Sequence, residues 1–438
     1  MGKIFKSKIF VLIAMAFALI IALNQIESKV QERGETRNAA VRSIAEQYAT
    51  EQHWIGPLIS ISCSEMKTIT ETDSKGHEKL LHQPHDCSQI IRPKNLVIQS
   101  KLEVNERYRG IYKARVYLAK IKLKTTLPSY IPKPGQTVST SLLFGVSDAR
   151  GLKHIALTNA SGQKLEAKPG VLGRFLTAGF SLPLAVQNFE KEQTINADLE
   201  IAGSNRLDFS PIAEQNDFFI QSSWPHPNFD GKFLPENREV SANGFNARWR
   251  VNDFATGGNT MLSHKAGQQS EEINIDTNSM GVSLIDPIDT YTQTNRAVRY
   301  GFLFILMTIG GFFIFEMVKQ KTVHPLQYLL VGLAVVIFFL LLLALSEHLA
   351  FATSYMIAAF ACVALISAYG KSIVTTWAGT AILAAAYSGL YYALYLMLNS
   401  EDYALLMGAW LIFAILALAM YLTRKFSAKS VNTTTIDG

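Results

Sequence analysis

After Tyr300 the chain carries one apolar stretch after another, each long enough to cross a bilayer, and no other feature restricts its fold so strongly. The runs cover approximately Tyr300–Phe315, Leu326–Leu345, Phe351–Tyr369, Ile373–Leu398 and Tyr403–Leu422. Each is near the ~20 residues that span hydrocarbon as a helix. A backbone in lipid must satisfy its own hydrogen bonds, so runs of this length are expected as helices. None has Asp, Glu, Lys or Arg near its centre. That absence counts against a proton-coupled transporter, which needs an ionisable relay inside the membrane.

A further apolar run, Ile9–Leu23, follows Lys3, Lys6 and Lys8. It is short enough for a cleaved signal peptide, yet Ile21-Ala-Leu-Asn-Gln25 lacks a small-x-small cleavage site. Ile26, Val30, Val41, Ile44 and Tyr48 continue roughly in helical phase, with Gly34 weakening the helix near its middle. We read an uncleaved signal anchor, with cleavage as the alternative.

Loop charges orient the spans. Ser346-Glu347-His348 and Asn399-Ser-Glu-Asp402 contain no Lys or Arg, whereas the alternate connections carry Lys319, Lys321 and Lys371, and the tail carries Arg424 and Lys425. By the positive-inside rule this predicts six spans with both termini cytoplasmic. The organisation is then a signal-anchor span over 1–26, an exported domain over 27–299 and a five-span block over 300–438. Arg296 and Arg299 run against the bias, but they adjoin a large translocated domain and can snorkel to lipid phosphate. The net charge of +6 is thus largely accounted for beside the apolar runs, so the bilayer is the expected partner and nucleic acid is not.

The middle region reads as strands and turns. Tyr112–Leu123 alternates bulky with charged residues, as a half-buried strand does. Ser141–Val146, Asn196–Ile201, Phe218–Ser222, Phe245–Val251 and Gly281–Ile285 are further strand candidates. Turn residues cluster between them, as in Pro225-His-Pro-Asn-Phe-Asp-Gly231. The expected fold is an antiparallel, sandwich-like β domain attached to a helical polytopic membrane protein.

Of three cysteines, Cys362 lies inside an apolar run and reads as a small hydrophobe. Cys63 and Cys87 fall in the exported region, where pairing would close a loop of about 25 residues and stabilise by ~3 kcal/mol; two free thiols are the alternative. Ser64-Glu-Met-Lys67 has the Ser-x-x-Lys spacing of penicillin-interacting enzymes, but no Ser-Asp-Asn or Lys-Thr-Gly accompanies it. His77 and His82 resemble a zinc-protease pair with one residue too many, diverging by about 140° on a helix. His82, His85 and Cys87 could hold a soft metal from a loop, against a solvated polar loop as the plainer account. Glu316, His324, Glu347 and His348 lie at span ends, where interface placement explains them. No phosphate loop, dinucleotide fingerprint or nucleophile elbow occurs, so no catalytic residue, cofactor or metal site is assigned.

Several long words stand in order along the chain: Arg109-Gly-Ile-Tyr-Lys-Ala-Arg-Val-Tyr117, Ser223-Trp-Pro-His-Pro-Asn-Phe-Asp-Gly231, Phe233-Leu-Pro235 and Gly244-Phe-Asn-Ala-Arg-Trp249. Asp286-Pro-Ile-Asp-Thr-Tyr291, His324-Pro-Leu-Gln-Tyr328 and Leu345-Ser-Glu-His348 complete the set. Through them the chain resembles the CreD family, inner-membrane proteins labelled for cell-envelope integrity and tolerance to E-group colicins. The resemblance implies a Gram-negative inner membrane, a periplasmic middle domain, and stress-linked expression under the CreB–CreC two-component system. It implies no catalytic residue or cofactor. The segment from Cys63 to Cys87 reads as a longer, cysteine-bracketed insertion than the family pattern.

Two functions follow as expectations. One is a non-enzymatic cell-envelope integrity factor whose periplasmic domain binds an envelope component or partner protein. The alternative is a membrane-embedded enzyme or small-molecule transporter acting on an envelope component. The word around Asp286 and Asp289 places these carboxylates at the neck before the second span, with Pro287 holding Asp286 extended. Together with Arg296, Arg299 and His348 they could dock the soluble domain on the membrane block. Equally, the carboxylates could stay solvated while the arginines bind lipid phosphate.

Overall fold

The computed structural model describes residues 2–423 apart from 73–77, 135, 172–177, 186–189, 258–277, 286–289, 320–321, 375 and 401–403. It forms two compact units, one of Asn38–Pro287 and one of Met1–Arg37 with Ile288–Gly438.

Helix α1 (Gly2–Tyr48) is continuous through Gly34, where the sequence predicts weakening. A single glycine costs a helix only about 1 kcal/mol, and nearby packing, such as Val30 at 1% exposure, offsets it. The last turns of α1 belong to the β unit. That unit begins with β1 (Gln52–Thr72), β2 (Glu78–Asp86), β3 (Gln89–Ile91), β4 (Asn95–Arg109), β5 (Tyr112–Leu127) and β6 (Gln136–Val146). It continues with β7 (Leu152–Asn159), β8 (Lys164–Leu165), β9 (Lys168–Pro169), β10 (Gly179–Leu184), β11 (Gln193–Ser204) and β12 (Arg206–Phe209). The last strands are β13 (Gln215–Ser222), β14 (Pro227–Gly231), β15 (Asn237–Ser241), β16 (Gly244–Asn252) and β17 (Met280–Leu284), with the short helix α2 (Asp253–Thr256) after β16.

These strands form two sheets. The first runs β14-β17-β12-β1-β6-β10-β9, with β2 and β3 also paired to β1; the second runs β15-β16-β13-β4-β5-β11-β7-β8. Inward residues of both sheets share one core, as alternation along each strand requires. Phe209 of the first sheet meets Phe218 of the second at 5.6 Å between ring centres, and Phe229 meets Trp249 at 5.9 Å. Every strand candidate read from the sequence coincides with a strand, Gly281–Ile285 running one residue past the end of β17. The pairing departs from the antiparallel expectation at two places: β1 runs parallel to β12, and β4 parallel to β13. Alternation encodes which face a residue takes but not which strand lies beside it, and parallel neighbours must come from distant sequence.

The helical unit joins α1 to α3 (Thr290–Lys319), α4 (Pro325–Ser346), α5 (Phe351–Val374), α6 (Trp377–Asn399) and α7 (Ala404–Thr423). Five helices among the described residues, α1 and α3 to α6, are long and apolar enough to cross a membrane. Helix α7 adds twenty residues without a charged side chain. His324 caps α4: its Nδ1 accepts from the Leu326 amide at 3.2 Å, its own amide donates to Gln327 Oε1 at 3.0 Å, and Pro325 opens the helix. At the centre, Phe304, Phe338, Phe339, Tyr355 and Tyr391 interlock, with ring centres 4.6 to 6.3 Å apart. Tyr355 donates its hydroxyl to the Tyr391 carbonyl at 2.7 Å, and Cys362 lies buried with its thiol 3.3 Å from the Ala334 carbonyl.

Candidate functional site

Polar side chains in the helical unit gather in two girdles. In the first, Lys8 on α1 donates to Glu316 on α3 and, at 2.9 Å, to the Val323 carbonyl. Tyr328 on α4 donates to the other Glu316 oxygen at 2.7 Å, and its ring lies 5.9 Å from the Lys8 ammonium. The Lys8 and Glu316 side chains are only 21% and 14% exposed, so the pair is largely desolvated and each carboxylate oxygen has a donor. Such a pair holds its helices in register, because removing either partner strands a charge.

In the second girdle Glu27 of α1 meets Arg299 of α3 at 3.3 Å, and Arg33 of α1 meets Glu347 after α4 at 3.5 Å. The Tyr291 hydroxyl reaches the same Glu347 at 3.5 Å. Lys8 and Glu27 are nineteen residues apart with no charged residue between them. At 1.5 Å per residue that is about 28 Å, the thickness of a hydrocarbon layer. Arg299 and Glu316 bracket about 25 Å of α3 in the same way. The girdles therefore frame a membrane-thick apolar slab.

Of the proposed docking residues, Asp286 and Asp289 lie outside the described residues. Arg299 pairs with Glu27 on α1, Arg296 is half-buried on α3, and His348 is exposed, its amide closing the turn on the Leu345 carbonyl at 3.1 Å. Sequence reading placed Glu316 and Glu347 at span ends but missed their partners on α1, since a one-dimensional pattern does not say which helices are neighbours. The signal available was the charge at either end of the first apolar run.

In the β unit Cys63 and Cys87 are joined by a disulfide with their α-carbons 4.8 Å apart, at the base of the β1–β2 hairpin. Cys87 is thus not a free thiolate for a metal, and among the described residues no group of three or more His, Cys, Asp or Glu could hold one. His77 lies outside the described residues, and His82 sits on a strand beside the Thr68 hydroxyl at 3.0 Å. Ser64 and Lys67 lie on β1, where an odd separation sends side chains to opposite faces; the Ser-x-x-Lys chemistry needs a helix.

Two polar groupings on the outward sheet faces were not read from sequence. On the first sheet Arg206 pairs with Asp208 at 2.6 Å, and the His53 ring lies 2.7 Å from the Ser210 hydroxyl. Burial pushes the Asp208 carboxyl up to about 6, against the pull of Arg206 and with help from Asp230 and Glu51. Asp148 moves oppositely, held well below the usual carboxylate range by Arg150 and the Thr50 and Arg150 amides. On the second sheet a shallow groove of about 550 Å³ is lined by Lys101, Lys120, Lys122, Gln99, Asp198 and Phe219, among others.

A block of long apolar helices with charged girdles, joined in one chain to a two-sheet β domain whose open edges could not lie in lipid, defines a polytopic membrane protein with a large extramembrane domain. The family model described as inner membrane protein CreD matches residues 5–428. Inner membrane protein CreD of Escherichia coli strain K12 is 31% identical over 413 residues, 93% of this chain and 90% of the relative. The chain belongs to the CreD family of inner membrane proteins.

Proposed function

We propose that this chain is an inner-membrane factor of the cell envelope whose β domain faces the periplasm and binds an envelope component or partner protein, without catalysing a reaction. The observation that carries the reading is the pair of girdles a hydrocarbon thickness apart, combined with the charge of the loops. The Lys8 girdle contains Glu316 and Val323, and the sequence between them holds Lys319 and Lys321. The Arg33 girdle contains Glu347, in a connection without Lys or Arg. The positive-inside rule then orients six spans, α1 and α3 to α7, with both termini cytoplasmic and the segment between α1 and α3 periplasmic. The Cys63–Cys87 disulfide suits that oxidising side.

The alternative, an enzyme or transporter acting on an envelope component, would use a lateral hollow of about 740 Å³ between α3 and α6. Its polar lining is Thr308, Thr376 and Tyr387, hydroxyls without a carboxylate or amine among the lining residues.

Reporter fusions test the topology. They should be periplasmic-active at Gln163, Glu347 and Ser400, and cytoplasmic-active at Gln320, Lys371 and the C-terminus. A photo-crosslinking residue in the β domain of the full-length protein should capture an envelope constituent in whole cells. A periplasmic C-terminus, or capture of nothing from any face of the β domain, refutes the reading.

A further inference from the structure

The outward face of the second sheet is closed at one end, where Val41 and Ile44 of α1 pack on Ala114 and Val116 of β5. Beyond Leu118 it opens into solvent, and its side chains sort by strand. Strand β5 presents Lys120, Lys122 and Lys124, all exposed and about 7 Å apart along the strand. Strand β11, on one side, places Asp198 opposite Lys122 and Glu200 opposite Lys120. Strand β4, on the other side, places Gln99 opposite Lys122 and Lys101 opposite Lys120. Next outward, β13 sets Phe219 beside Gln99 and Gln221 beside Lys101.

Two features exceed what an ordinary solvated face needs. Lys101 and Lys120 are like charges directly opposite each other, a pairing that destabilises a sheet. Lys120 is relieved by Glu103 at 2.7 Å, but Lys101, Lys122 and Lys124 make no ion pair among the described residues. Phe219 is the aromatic ring of the groove, half-buried among amides and charges rather than in the core.

We infer that this face binds the peptide-bearing N-acetylated glycan of the cell wall. The inference rests on the periplasmic placement proposed above and names the envelope component for that reading. The charge pattern selects the occupant. A simple polyanion would be repelled by Asp198 and Glu200, and a neutral polysaccharide would leave the lysines unused. A glycan carrying short peptides offers sugar rings to stack on Phe219 and acetamido groups for Gln99 and Gln221. Its peptide carboxylates match Lys101, Lys122 and Lys124, and its peptide ammonium groups match the acidic column on β11.

Full-length protein in detergent should co-sediment with purified insoluble cell-wall sacculi. The exposed triple change Lys101→Glu, Lys122→Glu and Lys124→Glu should weaken binding about tenfold or more, as loss of several charge-assisted contacts implies. Phe219→Ala should weaken it several-fold. A charge-matched reversal away from that face, Lys67→Glu and Lys168→Glu on the first sheet with Lys133→Glu in the β5–β6 connection, should change it less than about twofold. Three results overturn the inference: no co-sedimentation above the micelle background, equal loss in the two triple variants, or equal retention of wild type on heparin-agarose and on sacculi. If sacculus binding fails while photo-crosslinking still captures an envelope protein, this inference falls and the proposed function stands. If the Gln163 fusion reports the cytoplasm, both fall together.

Discussion

Asp208 is a carboxylate whose burial the fold tolerates rather than exploits, and Asp208→Asn should stabilise the protein at neutral pH. The residue is 6% exposed on β12; one oxygen pairs with Arg206, and the other has no hydrogen-bond partner among the described residues. Desolvation outweighs the arginine, so the carboxyl titrates near 6 in the fold against 3.8 in the unfolded chain. For an acid, a raised folded pKa means that protonation favours the native state. The stabilising contribution is complete below 3.8 and lost as the pH rises through 6. With both states ionised, the native state carries a cost of about 3 kcal/mol. Between pH 7.5 and 5 wild type should regain about 1.4 kcal/mol of it, while the Asp208→Asn variant regains none. Urea unfolding of the full-length protein in detergent reads this from tryptophan fluorescence, with Trp377 and Trp410 changed to Phe so that Trp54, Trp224 and Trp249 of the β unit report. The informative quantity is wild type minus variant at each pH, which cancels the titrating groups that are not coupled to Asp208. A variant less stable than wild type at pH 7.5, or a difference that does not shrink toward pH 5, would refute the reasoning.

Three further outcomes are expected. Cys63 and Cys87 should resist thiol labelling in the native protein and both react after reduction; full labelling of either before reduction shows the pair unbridged in the cell. Lys8→Met should strand Glu316 and destabilise the helical unit by ~3 kcal/mol, read as a lower thermal midpoint in detergent, while adding Glu316→Met should recover most of the loss; a single change without effect would mean the pair is solvated. Gly203→Ala should cost about 1–3 kcal/mol, because a β-carbon there would lie 2.3 Å from the hydroxyl of Tyr117, which donates to the Arg206 carbonyl at 2.6 Å; unchanged urea stability would show that Tyr117 can move aside.

The helices and the strands were legible because both rest on local patterns. The charge-free runs become α3 to α7, and the alternation of Tyr112–Leu123 becomes β5, with Lys120 and Lys122 outward and Ile121 and Leu123 inward. The pairing of β1 with β12 was not legible, since Trp54 and Phe209 are neighbours only after more than a hundred residues of intervening chain. The girdles failed for a related reason. Glu316 looks like an interface residue until α1 brings Lys8 to it, and no periodicity in either helix announces the other. His324 read as a polar group at a span end, and its actual work is local: it caps α4, as the following Pro325 and Gln327 could have signalled.

That capping role bears on where function should be sought. Among the described residues, several of the words that carry the family resemblance supply ties within the fold. Trp249 donates to the Phe233 carbonyl at 3.0 Å, tying two of the words together. Arg115 lies 4.6 Å over the Trp224 ring and donates to the Leu284 carbonyl at 3.2 Å, joining two more words to the end of β17. Tyr328 buttresses the Lys8–Glu316 pair from within a word that begins with the α4 cap. Residues so committed to packing have little freedom to contact a partner, because a side chain that satisfies a buried carbonyl cannot also turn outward. The outward column Lys120, Lys122 and Lys124 has the opposite character. The fold needs only that those positions be polar, yet all three are cationic, Lys120 facing Glu200 and Lys122 facing Asp198 across the sheet while Lys124 faces Asn196. Identity in excess of what packing requires is the mark of a contact surface, and here it lies on the second sheet rather than in the words that name the family.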